Sequence, residues 1–121
     1  MGGGRRIQAV SECLFCRIVK REIPSQSVFE DDQIYAFHDI HPQAPTHVLL
    51  IPRKHLAGVA ELEPGDEGLA GSLILSARLI AKDLGLESYR LVFNSGPEAG
   101  QSVFHLHLHL LGGRRMTWHP G

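Results

Sequence analysis

The sequence predicts an α+β domain, an antiparallel sheet accompanied by one long helix and one short one. Short β-favouring runs recur between clusters of Pro, Gly and Asp, and one stretch near the middle carries apolar residues at helical spacing. The connections between these runs are short, which favours antiparallel pairing. A chain of 121 residues has room for one such domain. It is expected over residues 11–121, with residues 1–10 as a flexible N-terminus.

Ser11 reads as the N-cap of a short helix over Cys13-Leu14-Phe15-Cys16-Arg17-Ile18-Val19-Lys20, stopped before Pro24. Phe29, and then Ile34 to Asp39, read as short strands around the acidic Glu30-Asp31-Asp32 turn. His47 to Ile51 is a further strand, closed by Pro52. Pro64-Gly65-Asp66 opens a helix of about Glu67 to Leu84, with Leu69, Leu73, Ala77, Ile80 and Leu84 on one face and Gly85 as its C-terminal cap. Arg90 to Phe93 is a strand, and a glycine-containing loop leads from it to the most informative run of the chain.

That run is His105-Leu106-His107-Leu108-His109-Leu110-Leu111, entered through Gln101-Ser102-Val103-Phe104. In a strand, alternate residues share a face, so the three imidazoles line one side while Leu106, Leu108 and Leu110 pack against the other. Neighbouring imidazole positions are then roughly 7 Å apart, at about 3.4 Å per residue. A helix would scatter them, and the β-favouring Val-Phe start supports the strand. Three histidines so placed can chelate a metal. They can instead supply a nucleophile, because an imidazole with an ordinary pKa of about 6.5 is mostly unprotonated at neutral pH. Asn94-Ser95-Gly96 and Gly100-Gln101-Ser102 just upstream favour attack at phosphorus. They offer amide, hydroxyl and backbone N–H donors, with glycines that let the backbone approach phosphate oxygens closely.

Composition bounds the remaining possibilities. Apolar residues make up 43% of the chain and charged residues 21%, which are globular values. A net charge of −1 with scattered basic residues gives no electrostatic reason to expect a nucleic-acid partner. No apolar run approaches the length of about 18 residues needed to span a bilayer, so no membrane partner is expected. Met1-Gly2-Gly3-Gly4-Arg5-Arg6 lacks the apolar stretch of a signal peptide, and Arg6 stands where a myristoylation motif wants Ser or Thr. The expected location is cytoplasmic.

The run from His105 to Leu111 resembles the motif of the histidine triad superfamily. Glu30-Asp31-Asp32, Ala36-Phe37-His38-Asp39-Ile40, Pro42-Gln43-Ala44-Pro45-Thr46-His47, Ile51-Pro52-Arg53-Lys54-His55 and Leu111-Gly112-Gly113-Arg114-Arg115-Met116, with Trp118 and Pro120-Gly121, are similar to its Hint branch. The resemblance runs from about Glu12 to Gly121. It implies an antiparallel sheet of about five strands with two helices, paired with a second copy as a two-fold dimer whose sheets join.

It also implies a purine nucleoside phosphoramidase that needs no cofactor for catalysis. His107, the middle histidine, would attack the α-phosphorus of a nucleoside monophosphate linked to an amine and form a nucleotidyl-histidine that water then hydrolyses. His105 and His109 would flank the nucleophile, and His47 would orient it. His109, Ser102 and Asn94 would contact the phosphate, with Gly100 and Gln101 shaping the loop and adding backbone contacts. Asp39 would accept from the ribose hydroxyls, and Phe37, Ile40, Leu14, Phe15 and Leu49 would wall the base. His38, His41 and His119 read as incidental surface residues.

The Cys13-X-X-Cys16 pair lacks the βαβ setting of a redox motif. Branches of the superfamily join such a pair to a later histidine and the first triad histidine. Here that implies a structural zinc on Cys13, Cys16, His55 and His105, with two reduced packing thiols as the alternative. Other functional readings remain open at this level: a dinucleoside polyphosphate hydrolase or nucleotidyl transferase, a hydrolase using His105, His107 and His109 as metal ligands, and a non-catalytic nucleotide-binding protein.

Overall fold

The computed structural model describes residues 12–121. Its elements are α1 (Leu14–Val19), β1 (Ser27–Glu30), β2 (Ile34–His38), β3 (Thr46–Pro52), α2 (Glu67–Asp83), β4 (Tyr89–Val92) and β5 (Leu108–Gly112). The five strands form one antiparallel sheet in the order β1-β2-β3-β5-β4. Two helices and five strands make the expected α+β fold. The expected flexible N-terminus lies outside the described residues.

β3 is the centre of the sheet and is buried on both faces, which explains its unbroken apolar run Val48-Leu49-Leu50-Ile51. On one face, Ile34, Ala36, Val48, Leu50, Leu106, Leu108 and Leu110 pack with Leu73, Ala77 and Ile80 of α2. The other face packs Tyr35, Phe37, Leu49 and Ile51 against Cys13, Phe15, Cys16 and Ile18 of the α1 segment. The amphipathic α2 thus covers one side of the sheet, and the short α1 covers part of the other. The remainder of that second face is where the histidines stand.

Local chemistry sets the ends of these elements. Ser11 lies outside the described residues, and the cap of α1 is Cys13, whose Sγ accepts from the Cys16 N–H. Asp31 closes the β1–β2 turn by accepting from the Gln33 and Ile34 N–H groups. α2 ends as its sequence suggests. Gly85 takes φ +73° and donates to the Lys82 carbonyl, while Leu86 donates to Ala81 and turns back onto the core.

The histidine strand is shorter than expected. β5 begins at Leu108, so only His109 of the three lies within it, while His105 and His107 precede it. Continuing the register past Leu50 and Leu108 would set Pro52 opposite Leu106, where the ladder fails: Pro52 has no N–H, and the Leu106 N–H donates instead to the Leu56 carbonyl. Alternation survives beyond the ladder, since Leu106, Leu108 and Leu110 all lie in the α2 core. The strand boundary moves; the facing of the residues does not.

Candidate active site

A cavity of about 510 Å³ opens between α1, the 23–25 loop, the end of β2 and the histidines. Phe37, Leu49 and His109 reach it from three adjacent strands, because Phe37 pairs with Leu49 and Leu49 with His109. Leu14 and Phe15 close it from α1. Asp39, just past the end of β2, and Ile40, which is 85% exposed, stand at its mouth. Gly100, Ser102, His47 and His107 complete the set of anticipated residues that line it.

The ring nitrogens have their roles assigned by backbone partners, because a carbonyl can only accept and an N–H can only donate. His107 donates from Nδ1 to the His105 carbonyl at 2.7 Å, which leaves the lone pair on Nε2. The Gln43 N–H donates to His47 Nδ1 at 3.0 Å, so the proton of the neutral His47 ring sits on Nε2, from which it donates to His109 Nδ1 at 2.9 Å. His109 therefore carries its own proton on Nε2. That atom is buried and has no partner among the described residues, which makes it a donor waiting for an acceptor. Asp39 lies 3.5 Å from His47 Nε2 and favours this orientation.

Burial lowers the pKa of His107, partly offset by the His105 carbonyl and the charge of Asp39. It lowers His109 to about 4, with the neighbouring His107 and His47 adding to the effect. His47 is lowered by burial against the opposing pull of Asp39. The rings are thus neutral at pH 7, and the row holds one bare lone pair on His107 beside one N–H on His109. Phe15 packs edge-on against His107 at 5.2 Å between ring centroids and holds the ring in place.

Two anticipated residues sit behind the cavity wall. Gln101 accepts from the Gly96 N–H at 2.9 Å and donates to the carbonyls of Ala57 at 2.6 Å and Val103 at 3.1 Å. Its side chain is spent on stapling the 94–103 loop, which positions Gly100 and Ser102. Asn94 is placed behind Gly100, whose φ of +102° suits glycine. Ile18, Ile23, Pro24, Ser25 and Val103 line the cavity without having been singled out, and His38, His41 and Gln43 also border it. Ile18 was within reach of helical spacing from Leu14 and Phe15. The loop residues carried no periodic signal.

Behind the histidine row, Cys13, Cys16, His55 and His105 place their ligand atoms within 4.8 Å of one another. The Sγ–Nδ1 separations are 3.4 Å, 3.2 Å and 3.5 Å, and the two Nδ1 atoms are 3.2 Å apart. A zinc tetrahedron with bonds of about 2.3 Å to sulfur and about 2.0–2.1 Å to nitrogen has S–N edges of about 3.6 Å and N–N edges of about 3.3 Å. The donor set fits. His105 donates from Nε2 to the Pro52 carbonyl at 2.8 Å, so the lone pair on Nδ1 faces the cluster, the second-sphere arrangement expected of a metal-binding histidine. His105, His107 and His109 do not converge as a ligand set among the described residues. Asp39, His47 and His109 do lie together, and the 2.9 Å bond between the two histidines accounts for their proximity.

Fold and site define a small α+β protein with a cavity of nucleotide size bordered by neutral, oriented histidines. The family model for the HIT domain matches residues 20–116, and the chain belongs to that family. It is 50% identical over 114 residues to a 14 kDa zinc-binding protein of Zea mays, covering 92% of this chain and 89% of the relative. It is 49% identical over 114 residues to the adenylylsulfatase HINT1 of Arabidopsis thaliana, covering 92% and 78%. The crystal structure of a HIT family hydrolase from Legionella pneumophila superposes with a TM-score of 0.88 at 52% identity, covering 90% of this chain and 99% of that one.

Proposed function

We propose that the protein is a nucleotide hydrolase that cleaves nucleoside 5'-phosphoramidates to a nucleoside monophosphate and an amine, with His107 as the covalent nucleophile. The observation that carries this reading is the proton arrangement of the row. His107 keeps Nδ1–H on a carbonyl and its lone pair on Nε2, while His109 holds an Nε2–H without a partner among the described residues. In the first displacement, His107 Nε2 bonds to phosphorus, the P–N bond breaks, and the leaving amine takes up a proton from solvent. His109 Nε2–H donates to a phosphoryl oxygen whose charge grows in the transition state. In the second displacement, water bonds to phosphorus and the P–Nε2 bond breaks. The water's proton balances the one taken by the amine, and the imidazole is restored.

Asp39, Phe37, Leu14, Phe15, Leu49 and Ile40 all line the cavity, and in this reading Asp39 accepts from the ribose hydroxyls while the others enclose the base. No cofactor enters either displacement. A second reading keeps the nucleotidyl-histidine and changes the leaving group to sulfate, and the name of the Arabidopsis relative favours it. Assay of adenosine 5'-phosphoramidate beside adenylyl sulfate ranks the two. With a chiral thiophosphoramidate, two in-line displacements each invert phosphorus, so the expected result is net retention. Net inversion would instead indicate a single attack by water and remove His107 as a covalent nucleophile.

We also infer a two-fold dimer. β4 is an edge strand with one side unpaired among the described residues, and α2 exposes Ile74, Leu75 and Leu79 on the face turned from its own core. Light scattering is expected to report twice the chain mass, falling to one chain mass in Leu75→Glu. A monomeric wild type would refute the assembly.

A further inference from the structure

The proton arrangement of the histidine row has its source outside the strands that carry it. His47 belongs to β3, but the N–H that fixes its tautomer comes from Gln43, in the exposed connection between β2 and β3 where neither ladder holds the chain. That connection is clamped from the far end of the chain. Arg114 donates to the Gln43 carbonyl from Nη2 at 3.1 Å and from Nε at 3.4 Å, while its Nη1 donates to the Arg115 carbonyl at 3.1 Å.

The β3–β5 register explains why Arg114 reaches residue 43. Thr46 pairs with Gly112, so the chain leaving β5 runs alongside the residues that enter β3. Gly113 turns there with φ +92°, and a Cβ at that position would come within 2.9 Å of the Pro45 Cβ, so glycine is what lets the two turns touch. Further on, Arg90 of β4 donates to the Thr117 carbonyl and ties down the segment that carries Arg114.

A neutral imidazole has one N–H to give. With the Gln43 N–H on Nδ1, His47 donates from Nε2, so His109 accepts at Nδ1 and keeps its own proton on Nε2. Were the Gln43 N–H withdrawn, His47 would be free to carry its proton on Nδ1. Its Nε2 would then accept, the 2.9 Å bond would reverse, and His109 would offer a lone pair from Nε2 where the reaction needs a donor. One peptide N–H sets the sense of the row, and one guanidinium holds the residue that supplies it.

We propose that Arg114 is a positioning residue for nucleotidyl transfer: by clamping the Gln43 backbone, it keeps the His47–His109 pair in the tautomeric sense that offers His109 Nε2–H to the phosphoryl group. Arg114 is exposed and is not among the residues that line the cavity, so it acts through Gln43 and His47 and on turnover rather than on binding. This deepens the nucleotide-hydrolase reading and rests on it, and one arm of the test therefore needs no turnover.

Nitrogen–proton NMR correlation of the histidine rings in the full chain should show Nδ1 bare and Nε2 protonated at both His47 and His109, and Arg114→Ala should add a population with the reverse assignment. The same variant is expected to lower kcat about three- to tenfold with KM and AMP affinity within about twofold of wild type, the size of a lost charge-assisted hydrogen bond at an exposed position. Arg114→Lys, which keeps the charge and a donor, should bring kcat back to within about twofold and restore the single tautomer. Arg115→Ala removes an equal charge from the neighbouring position and should change neither readout. In a His47→Asn background, Arg114→Ala should cost less than about twofold in kcat, because the route through which it acts is gone. A loss of equal size in both backgrounds, a loss carried by KM, an equal loss in Arg115→Ala, or unchanged ring tautomers in Arg114→Ala overturns the positioning role while leaving the hydrolase standing. If the wild type turns over no phosphoramidate, the hydrolase reading falls, and the ring spectra alone decide whether Arg114 sets the tautomers.

Discussion

Replacing His107 by asparagine is expected to lower turnover by on the order of 10⁴-fold or more while leaving nucleotide affinity within a few-fold of wild type, because the change removes the attacking nitrogen and little of the pocket. Asparagine is the sharper substitution. Its amide N–H can still donate to the His105 carbonyl that His107 Nδ1 engages at 2.7 Å, so no buried acceptor is abandoned. Alanine should be equally inactive but less stable, since it strands that carbonyl and opens space beside Phe15. Mass spectrometry of wild-type protein quenched during turnover should find the nucleotidyl group on His107. An adduct on His105 or His109, or a His107→Asn variant with full activity, would sink the assignment.

Much of this site was legible because its signal is periodic. The alternation of His105, His107 and His109 with Leu106, Leu108 and Leu110 is a statement about two faces, and facing is preserved even where the β5 ladder ends. The failure at the strand boundary has a local cause, the missing N–H of Pro52 and the diversion of the Leu106 N–H to Leu56, and neither is visible in a window of alternating residues. Which ring nitrogen carries each proton was beyond the sequence altogether. It depends on the His105 carbonyl, the Gln43 N–H and the Pro52 carbonyl, backbone groups whose directions exist only after folding.

Residues on irregular backbone were hardest to place. Gln101 sits in the motif beside Ser102, yet its amide is consumed by Gly96, Ala57 and Val103, so it shapes the loop through its side chain. Ser25, in the α1–β1 connection, meets Tyr35 of β2 ten positions along, with no pattern linking them. His38 and His41 read as incidental surface residues, whereas they border the cavity because the chain turns sharply after β2 around Asp39, whose carboxylate accepts from the His41 N–H.

Removal of both thiols, Cys13→Ser with Cys16→Ser, is expected to strip one zinc per chain and to lower the melting temperature by about 10 °C or more, the size of shift that a loss of a few kcal/mol produces in a domain of this length. The ion would tie the N-terminal helix to the sheet, since the two cysteines belong to the α1 segment while His55 follows β3 and His105 precedes β5. Burial and the adjacent Cys13 push the Cys16 thiol up to about 12, so a cation must displace the protons to hold both sulfurs as thiolates, and binding weakens as pH falls. Turnover should persist at a reduced level in the double variant and after chelation, because His107 is not a ligand. Some loss is expected because the carbonyl that orients His107 belongs to His105, which is a ligand. Complete loss of chemistry on chelation would instead favour a metal-dependent hydrolase. Metal analysis of protein purified without a histidine tag decides the structural question. Well below one zinc per chain, with an unchanged melting temperature in the double variant, would mean that Cys13 and Cys16 serve only to pack α1 against the sheet.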